Sequence, residues 1–160
     1  MKKRLFSAIT RSEDETASIG ARIARLAREY DVNFAALYGD LGAGKTALTR
    51  GVAAELSPGA CVCSPTYAIV NEYYPSEEPQ APGKFGASGH MPVFHFDMYR
   101  IEDEDSLDSI GFYDYLARGG FIVTEWSENI PEALPERYFA VTLEKLSDDE
   151  RNIIVELSQS

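Results

Sequence analysis

The stretch LYGDLGAGKTALTR, residues 37–50, decides the fold class of this chain. Residues 39–46 match the pattern G-x-x-x-x-G-K-[ST], in which the backbone N–H groups of a glycine-rich loop surround phosphate oxygens. A short apolar segment, residues 33–38, comes before this loop, and a helical segment that runs to about Leu56 follows it. The N-terminus of such a helix adds partial positive charge. A strand, a phosphate-binding loop and a helix therefore predict nucleotide binding.

The loop supplies most of the predicted binding residues. The Lys45 ammonium group would reach the β- and γ-phosphates, and the Thr46 hydroxyl would coordinate Mg²⁺. The complete set that we expect around the phosphates is Gly39, Asp40, Leu41, Gly42, Ala43, Gly44, Lys45, Thr46 and Ala47.

Two acidic residues lie where a nucleotide-hydrolysing site needs a carboxylate near the metal ion and the attacking water. Glu125 follows the apolar segment 121–124, which places it at the C-terminal end of a predicted central strand, where open α/β sheets bind ligands. Asp97 lies on the predicted strand 93–99, whose opposite face is apolar. We expect both carboxylates at the site, with a structural ion pair to Arg100 or another basic group as the alternative for each.

Three further residues near these motifs carry open alternatives. Thr66 follows Ser64 and Pro65 on a predicted bend, where a hydroxyl could reach the γ-phosphate and Mg²⁺ and move on hydrolysis, or belong to an ordinary turn. Trp126 directly follows Glu125 and is either a core residue or a switch or interface residue. His95 accompanies no nucleophile motif, so we expect a structural role for it.

Hydrophobic patterns on both sides of the loop predict alternating helices and strands. Ser12 and Glu15 fit a capping box, and the helix after it places four apolar residues on one face: Ile19, Ile23, Leu26 and Tyr30. Extended segments are expected at 60–63, 67–74, 93–99 and 120–126, a short helix at 107–117, and a hairpin from 138–146 and 152–157. These elements predict a three-layer α/β fold with a mixed parallel and antiparallel sheet and a C-terminal hairpin.

Composition limits the classes of protein to which the chain can belong. Its 160 residues suit one domain, with residues 75–92, rich in Pro and Gly, as an exposed excursion. The basic start of the chain is followed by too short an apolar stretch for a secretion signal, and no run is long enough to span a membrane, so a cytoplasmic location is expected. The net charge of −11 disfavours direct binding of nucleic acid.

Four motifs in this order, GDLGAGKT, SPTYAIVNEY, VFHFDMYRI and IVTEWSENIP, resemble those of the TsaE family, formerly YjeE or YdiB. The resemblance covers residues 10–157. It implies a P-loop fold with weak ATPase activity, ATP and Mg²⁺ as cofactors, and a requirement in threonylcarbamoyladenosine formation in tRNA. It also implies assembly with TsaB and TsaD, so that this subunit would meet tRNA only indirectly. The 75–92 excursion departs from the short connection usual in the family.

The resemblance also implies roles for individual residues. Lys45 and Thr46 would bind phosphate and Mg²⁺, and Thr66 would belong to a switch-like loop. Asp97 and Glu125 would surround the metal ion and the attacking water, and Trp126 would lie beside the nucleotide or a partner. A second hypothesis is a nucleotide-gated binding module that controls assembly without needing hydrolysis. A third is a small-molecule kinase with residues 75–92 as its lid, which is disfavoured because that segment contains Lys84 but no arginine.

Overall fold

The computed structural model of the chain describes residues 1–40, 42–60, 69–76 and 89–160. Within these ranges the strands are β1 (Lys2–Thr10), β2 (Phe34–Tyr38), β3 (Val70–Tyr73), β4 (Val93–Asp97), β5 (Phe121–Glu125), β6 (Arg137–Lys145) and β7 (Arg151–Gln159). The α-helices are α1 (Glu13–Tyr30), α2 (Lys45–Leu56), α3 (Glu104–Ser109) and α4 (Phe112–Arg118), and single 3₁₀ turns cover Ser127–Asn129 and Pro131–Ala133. Over the described ranges, no helix combines the length and apolar character that crossing a bilayer requires.

The strands form one mixed sheet in the order β1-β7-β6-β2-β5-β4-β3. The four strands from β6 to β4 are parallel to one another, and the remaining pairs are antiparallel. The predicted α/β class, mixed sheet and C-terminal hairpin of β6 and β7 are therefore confirmed. Because β2, β4 and β5 are parallel, their C-terminal ends meet at one edge of the sheet.

Alternate residues of the central strands enter two separate cores, one on each face of the sheet. On one face, Leu37 and Val123 pack with Leu48 of α2 and with α1. On the other face, Phe34 and Phe96 pack with the short helices α3 and α4 and the 3₁₀ turns. This alternation, which follows from the two-residue period of a strand, produces the predicted three layers.

Helix α1 begins at the predicted cap. The Ser12 hydroxyl accepts a hydrogen bond from the Glu15 N–H at 3.0 Å, and the helix extends to Tyr30. Of the predicted apolar face, Ile23 is fully buried, and the other three residues pack partly buried against the same core. The cap at Ser12 and the helical period are therefore confirmed, but the capping box is incomplete, because the Glu15 carboxylate accepts from the Arg11 N–H at 3.1 Å and not from the Ser12 N–H.

Helices α1 and α2 cross at two glycines. A methyl group on Gly51 would lie 1.8 Å from the Ala17 carbonyl oxygen, and one on Gly20 would lie 2.0 Å from the Leu48 carbonyl oxygen. Only hydrogen fits at these positions, so the two backbones approach more closely than any side chain would permit. The close crossing holds α2, the helix that follows the glycine loop, against α1.

Several predicted boundaries were wrong. Gly111, at a φ of 75°, breaks the segment 107–117 into α3 and α4. Strand β4 ends at Asp97 rather than at residue 99, and strand β1 had no counterpart among the predictions. Met91, within the expected exposed excursion 75–92, is only 1% exposed and belongs to the core. Residues 77–88 of the excursion lie outside the described ranges, as does most of the extended segment 60–63.

Candidate functional site

The phosphate-binding loop connects the end of β2 with the start of α2. Gly44 caps the helix with a φ of 99°, a backbone conformation that is unfavourable for residues other than glycine. The Ala43 N–H donates to the Asp40 carbonyl at 3.1 Å, which closes the turn, and the first helical bond runs from Leu48 N–H to the Gly44 carbonyl. The N–H groups of the first turn of α2 therefore have no acceptor within the helix, as at other helix N-termini, and suit an anion.

Lys45 lies at the centre of the site and is only 6% exposed. Its ammonium nitrogen donates to the Gly39 carbonyl at 2.7 Å and lies 3.9 Å from Glu125 Oε1. The same nitrogen is 4.9 Å from the centre of the Trp126 ring. A predicted phosphate ligand and a predicted catalytic acid are therefore in direct electrostatic contact.

Glu125 ends β5 and is held between two nitrogen-bearing side chains. Its Oε2 lies 2.5 Å from His95 Nε2, and the Glu125 side chain is 15% exposed. The distance is that of a short polar contact, although the orientation is not that of a well-aligned hydrogen bond. Burial raises the pKa of Glu125, but His95 and the charge of Lys45 outweigh it, so the pKa lies below its ordinary value. Glu125 is therefore ionised at neutral pH.

Asp97 ends the neighbouring strand, in register with Glu125. The Asp97 side chain is exposed, and its Oδ1 accepts a hydrogen bond from the Tyr99 N–H at 3.0 Å. No ion pair joins Asp97 to Arg100 in the part of the chain that the structure describes. The Asp97 carboxylate thus keeps most of its lone pairs for solvent or a ligand.

Trp126 is partly buried at the mouth of the site and has a left-handed backbone conformation, with a φ of 57°. Its ring packs against Tyr99, with 5.0 Å between ring centres, and Tyr99 is 62% exposed. A bulky residue with positive φ is uncommon and is typical of strained functional segments. Trp126 also packs partly buried against the second core, so both alternatives for it stay open.

Two residues that the sequence interpretation missed fix the turn after Glu125. The buried Ser127 hydroxyl contacts the Thr124 hydroxyl at 2.8 Å and donates to the Leu37 carbonyl at 3.1 Å, which ties β5 to the end of β2. The Asn129 amide donates to the Met98 carbonyl at 2.9 Å, which ties the same turn to the end of β4. Both lie within the quoted motif IVTEWSENIP, so that motif was their only signal in the sequence.

Two cavities, of about 500 and 510 Å³, open on either side of the start of α2. Thr46, Arg50 and Glu125 border both of them. The first is bounded by the phosphate-binding loop, the start of α1 and the β6–β7 turn, and the second by β3, Asp97 and His95. The exposed Thr46 hydroxyl and the Glu125 carboxylate thus stand between two spaces that could admit ligand atoms.

The structure brings most of the predicted site residues together at one edge of the sheet. Lys45, Thr46, Asp97, Glu125 and Trp126 converge there, next to the glycine loop. Leu41 and Thr66 lie outside the described residues, so their predicted roles stay predictions. Among the described residues, no three His, Cys, Asp or Glu side chains are close enough to hold a metal ion by themselves.

Comparison with known proteins gives the family. A family model described as threonylcarbamoyl adenosine biosynthesis protein TsaE matches residues 10–153. The Bacillus subtilis tRNA threonylcarbamoyladenosine biosynthesis protein TsaE is 35% identical over 90% of this chain and 80% of its own length. The protein of the same name from Haemophilus influenzae is 39% identical over 73% of this chain and 65% of its own length.

A solved structure agrees with the sequence comparisons. The crystal structure of Bacillus subtilis YdiB superposes with a TM-score of 0.68 at 29% identity and covers 98% of this chain and 86% of the YdiB chain. The resemblance that the four motifs indicated is therefore confirmed over nearly the whole sequence. This chain belongs to the TsaE family.

Proposed function

We propose that this chain is a Mg²⁺-dependent ATPase that acts in threonylcarbamoyladenosine formation in tRNA and couples ATP hydrolysis to the partner proteins TsaB and TsaD. Family membership supports the pathway. The convergence of Lys45, Thr46, Asp97 and Glu125 beside the glycine loop is the observation that carries the ATPase proposal. A cytoplasmic location accompanies this proposal as an expectation.

The residues present fit the phosphates of a nucleotide. Gly44 opens α2 with free N–H groups, and the neighbouring cavity of about 500 Å³ is bordered by Lys45 and Thr46. In the nucleotide complex, we expect Lys45 to exchange its bond to the Gly39 carbonyl for phosphate oxygens. ATP rather than GTP is the nucleotide that we propose, since the family resemblance implies it.

The residues also fit Mg²⁺, although no cluster of three protein ligands exists among the described residues. Mg²⁺ in such sites keeps several waters and uses one or two carboxylates together with substrate phosphates. The exposed Thr46 hydroxyl and the exposed Asp97 carboxylate would hold it. Once bound, Mg²⁺ would neutralise charge on the phosphate oxygens. Glu125, already in contact with Lys45 and His95, would orient the attacking water.

The proposal is tested with Lys45→Ala in the full chain. Loss of a charged hydrogen-bond donor is worth about 1.5–3 kcal/mol, so we expect ATP affinity to fall roughly 10- to 100-fold. Lys145→Ala, at an exposed lysine of β6, is the matched control and should bind ATP normally. ATP binding is measured by calorimetry, and co-purification with TsaB and TsaD is compared with and without ATP.

Normal threonylcarbamoyladenosine formation by Lys45→Ala, with its partners present, would refute the ATPase proposal. A nucleotide-gated module is the second candidate, because Lys45, which here donates to the Gly39 carbonyl, would change partner on binding phosphate whether or not hydrolysis follows. Asp97→Ala and Glu125→Ala separate the two functions. If these variants bind ATP without hydrolysing it and still sustain repeated modification cycles, the module is the correct function.

A further inference from the structure

The two carboxylate oxygens of Glu125 contact different partners. Oε1 lies 3.9 Å from Lys45 Nζ, on the side of the phosphate-binding loop, and Oε2 lies 2.5 Å from His95 Nε2. The three side chains form a buried set, with exposed fractions of 6% for Lys45, 9% for His95 and 15% for Glu125. One oxygen therefore faces the loop, and the other faces the interior of the sheet.

The topology places His95 where it can hold this carboxylate. His95 lies on β4, which is parallel to β5, and two residues later Asp97 pairs in register with Glu125. Because strand side chains alternate, His95 and Asp97 lie on the same face of the sheet. The imidazole thus lies on the helix α2 side of the sheet, beneath the edge at which the two acids end their strands.

Burial makes the contact between His95 and Glu125 energetically significant. His95 is one of the few buried polar side chains among the described residues. Its Nε2 makes no well-aligned hydrogen bond there, and the Glu125 carboxylate is its close polar contact. Burying a polar nitrogen costs free energy unless it is paired. A histidine with no role would therefore be less favourable here than an apolar residue in the same space.

We propose that His95, carrying its proton on Nε2, is a positioning residue for ATP hydrolysis: it holds Oε2 of Glu125 so that Oε1 faces Lys45 and the phosphate-binding loop. The inference rests on the proposed ATPase function. His95 itself touches neither nucleotide nor water in this arrangement. A carboxylate that orients water needs a fixed geometry, since small displacements of a reacting group reduce rates strongly. Groups that orient the ligands of a metal site in a comparable way are worth about 10- to 100-fold in activity, and we expect an effect of that order here.

The contact can be observed without nucleotide, metal or partner. In two-bond ¹H–¹⁵N NMR spectra of the full chain at pH 7, we expect the His95 ring to carry its proton on Nε2. Glu125→Gln should change the ¹⁵N chemical shifts of the His95 ring, whereas Glu132→Gln, which replaces an exposed acid, should not. His90, the other of the two histidines, is an internal reference that neither variant should move. The proposal would be overturned if His95 Nε2 carried no proton, or if the ¹⁵N chemical shifts of the His95 ring did not change in Glu125→Gln.

Replacing His95 by Gln or by Asn tests whether the position of its donor atom matters, or only the presence of a polar side chain. In His95→Gln the side-chain amide nitrogen lies near the position of the histidine Nε2. In His95→Asn the amide nitrogen lies near the position of Nδ1, and the shorter side chain cannot reach Glu125 Oε2. We expect His95→Asn to lower kcat for ATP hydrolysis with TsaB and TsaD by about 10- to 100-fold, and His95→Gln to recover most of it. The dissociation constant for a fluorescent ATP analogue should change by less than about twofold in both variants, because His95 does not touch phosphate.

The pattern of results also separates this inference from the ATPase proposal. Equal kcat values for the two amide variants, or a loss of ATP affinity as large as the loss of kcat, would contradict positioning. His95→Asn in the Glu125→Gln background should cause little further loss, since residues that act through one another are not additive. If the unsubstituted chain hydrolyses no ATP with its partners, the ATPase proposal fails, while the NMR spectra still decide whether the His95–Glu125 contact exists. Those spectra need only the unsubstituted chain and the Glu125 and Glu132 variants. They therefore test the His95–Glu125 contact even if His95→Asn does not fold.

Discussion

At the scale of single residues, the turn after Glu125 determines where the acid points. Trp126 adopts a left-handed conformation and Ser127 turns back under it, so that its hydroxyl reaches both Thr124 and the Leu37 carbonyl. A serine hydroxyl that satisfies two buried groups at once fixes the relative position of two strand ends. The positions of Glu125 on β5 and of the loop after β2 are coupled through this single oxygen.

Ser127→Ala should therefore destabilise the protein and slow turnover together. It removes the partner of the buried Thr124 hydroxyl, and leaving a buried polar group unsatisfied costs about 1–3 kcal/mol. We expect a loss of that size in chemical denaturation. Ser109→Ala removes an exposed hydroxyl from α3 and is the matched control, for which no comparable loss is expected. Equal stability of the two variants would show that the Ser127 network contributes nothing.

At the scale of elements, the crossing of α1 and α2 fixes the helix that carries Lys45 and Thr46. The helices touch backbone to backbone at Gly20 and Gly51, with Ala17 and Leu48 opposite them. Helix propensity by itself disfavours glycine inside helices by about 1 kcal/mol relative to alanine. The packing geometry outweighs that preference here, because any larger residue would force the helices apart.

Gly51→Ala distinguishes the two effects by the sign of the stability change. Propensity alone predicts stabilisation of about 0.5–1 kcal/mol, whereas the close approach to the Ala17 carbonyl predicts a loss of about 3 kcal/mol or more. Thermal and denaturant unfolding measure the change. Ala54→Gly, on the exposed side of α2, calibrates the propensity contribution and should cost about 1 kcal/mol. A stabilised Gly51→Ala variant would mean that the helices are farther apart than described.

At the scale of the whole molecule, charge limits what the protein can bind directly. With 26 acidic and 15 basic side chains, the net charge is −11. Such a surface repels a phosphate backbone, whose binding depends on neutralisation by Lys and Arg. We therefore predict that in tRNA modification another subunit holds the tRNA.

The chain alone should not retain tRNA at about 0.15 M salt, and lowering the salt should not produce the steep rise in affinity that is typical of basic proteins. A filter-binding or gel-shift titration of the full chain measures this, with the TsaB–TsaD complex plus the chain as the positive control. Salt-sensitive binding of tRNA by the isolated chain would contradict the prediction that it meets tRNA only indirectly.

Local patterns in the sequence were sufficient for the elements whose causes are local. The glycine loop, the capped helix α1 and the alternating strands around Asp97 and Glu125 each follow from turn chemistry, capping or a two-residue period, and the structure contains all of them. The start of the chain gave no such signal: β1 is a half-exposed edge strand, which only its pairing with β7 defines. The break between α3 and α4 comes from the left-handed backbone conformation of Gly111, which the predicted single helix did not take into account.

The sequence by itself determined the family and predicted the phosphate-binding loop and the two acids, because these reside in short contiguous motifs. Only the tertiary structure decided how the acids differ: Asp97 is exposed, whereas Glu125 is buried between Lys45 and His95. Strands that are distant in sequence become neighbours only when the sheet forms, so the partner of a carboxylate on β5 cannot be read from β5 alone. For this reason the structure led us to propose that His95, expected from the sequence to be structural, holds Glu125 in place.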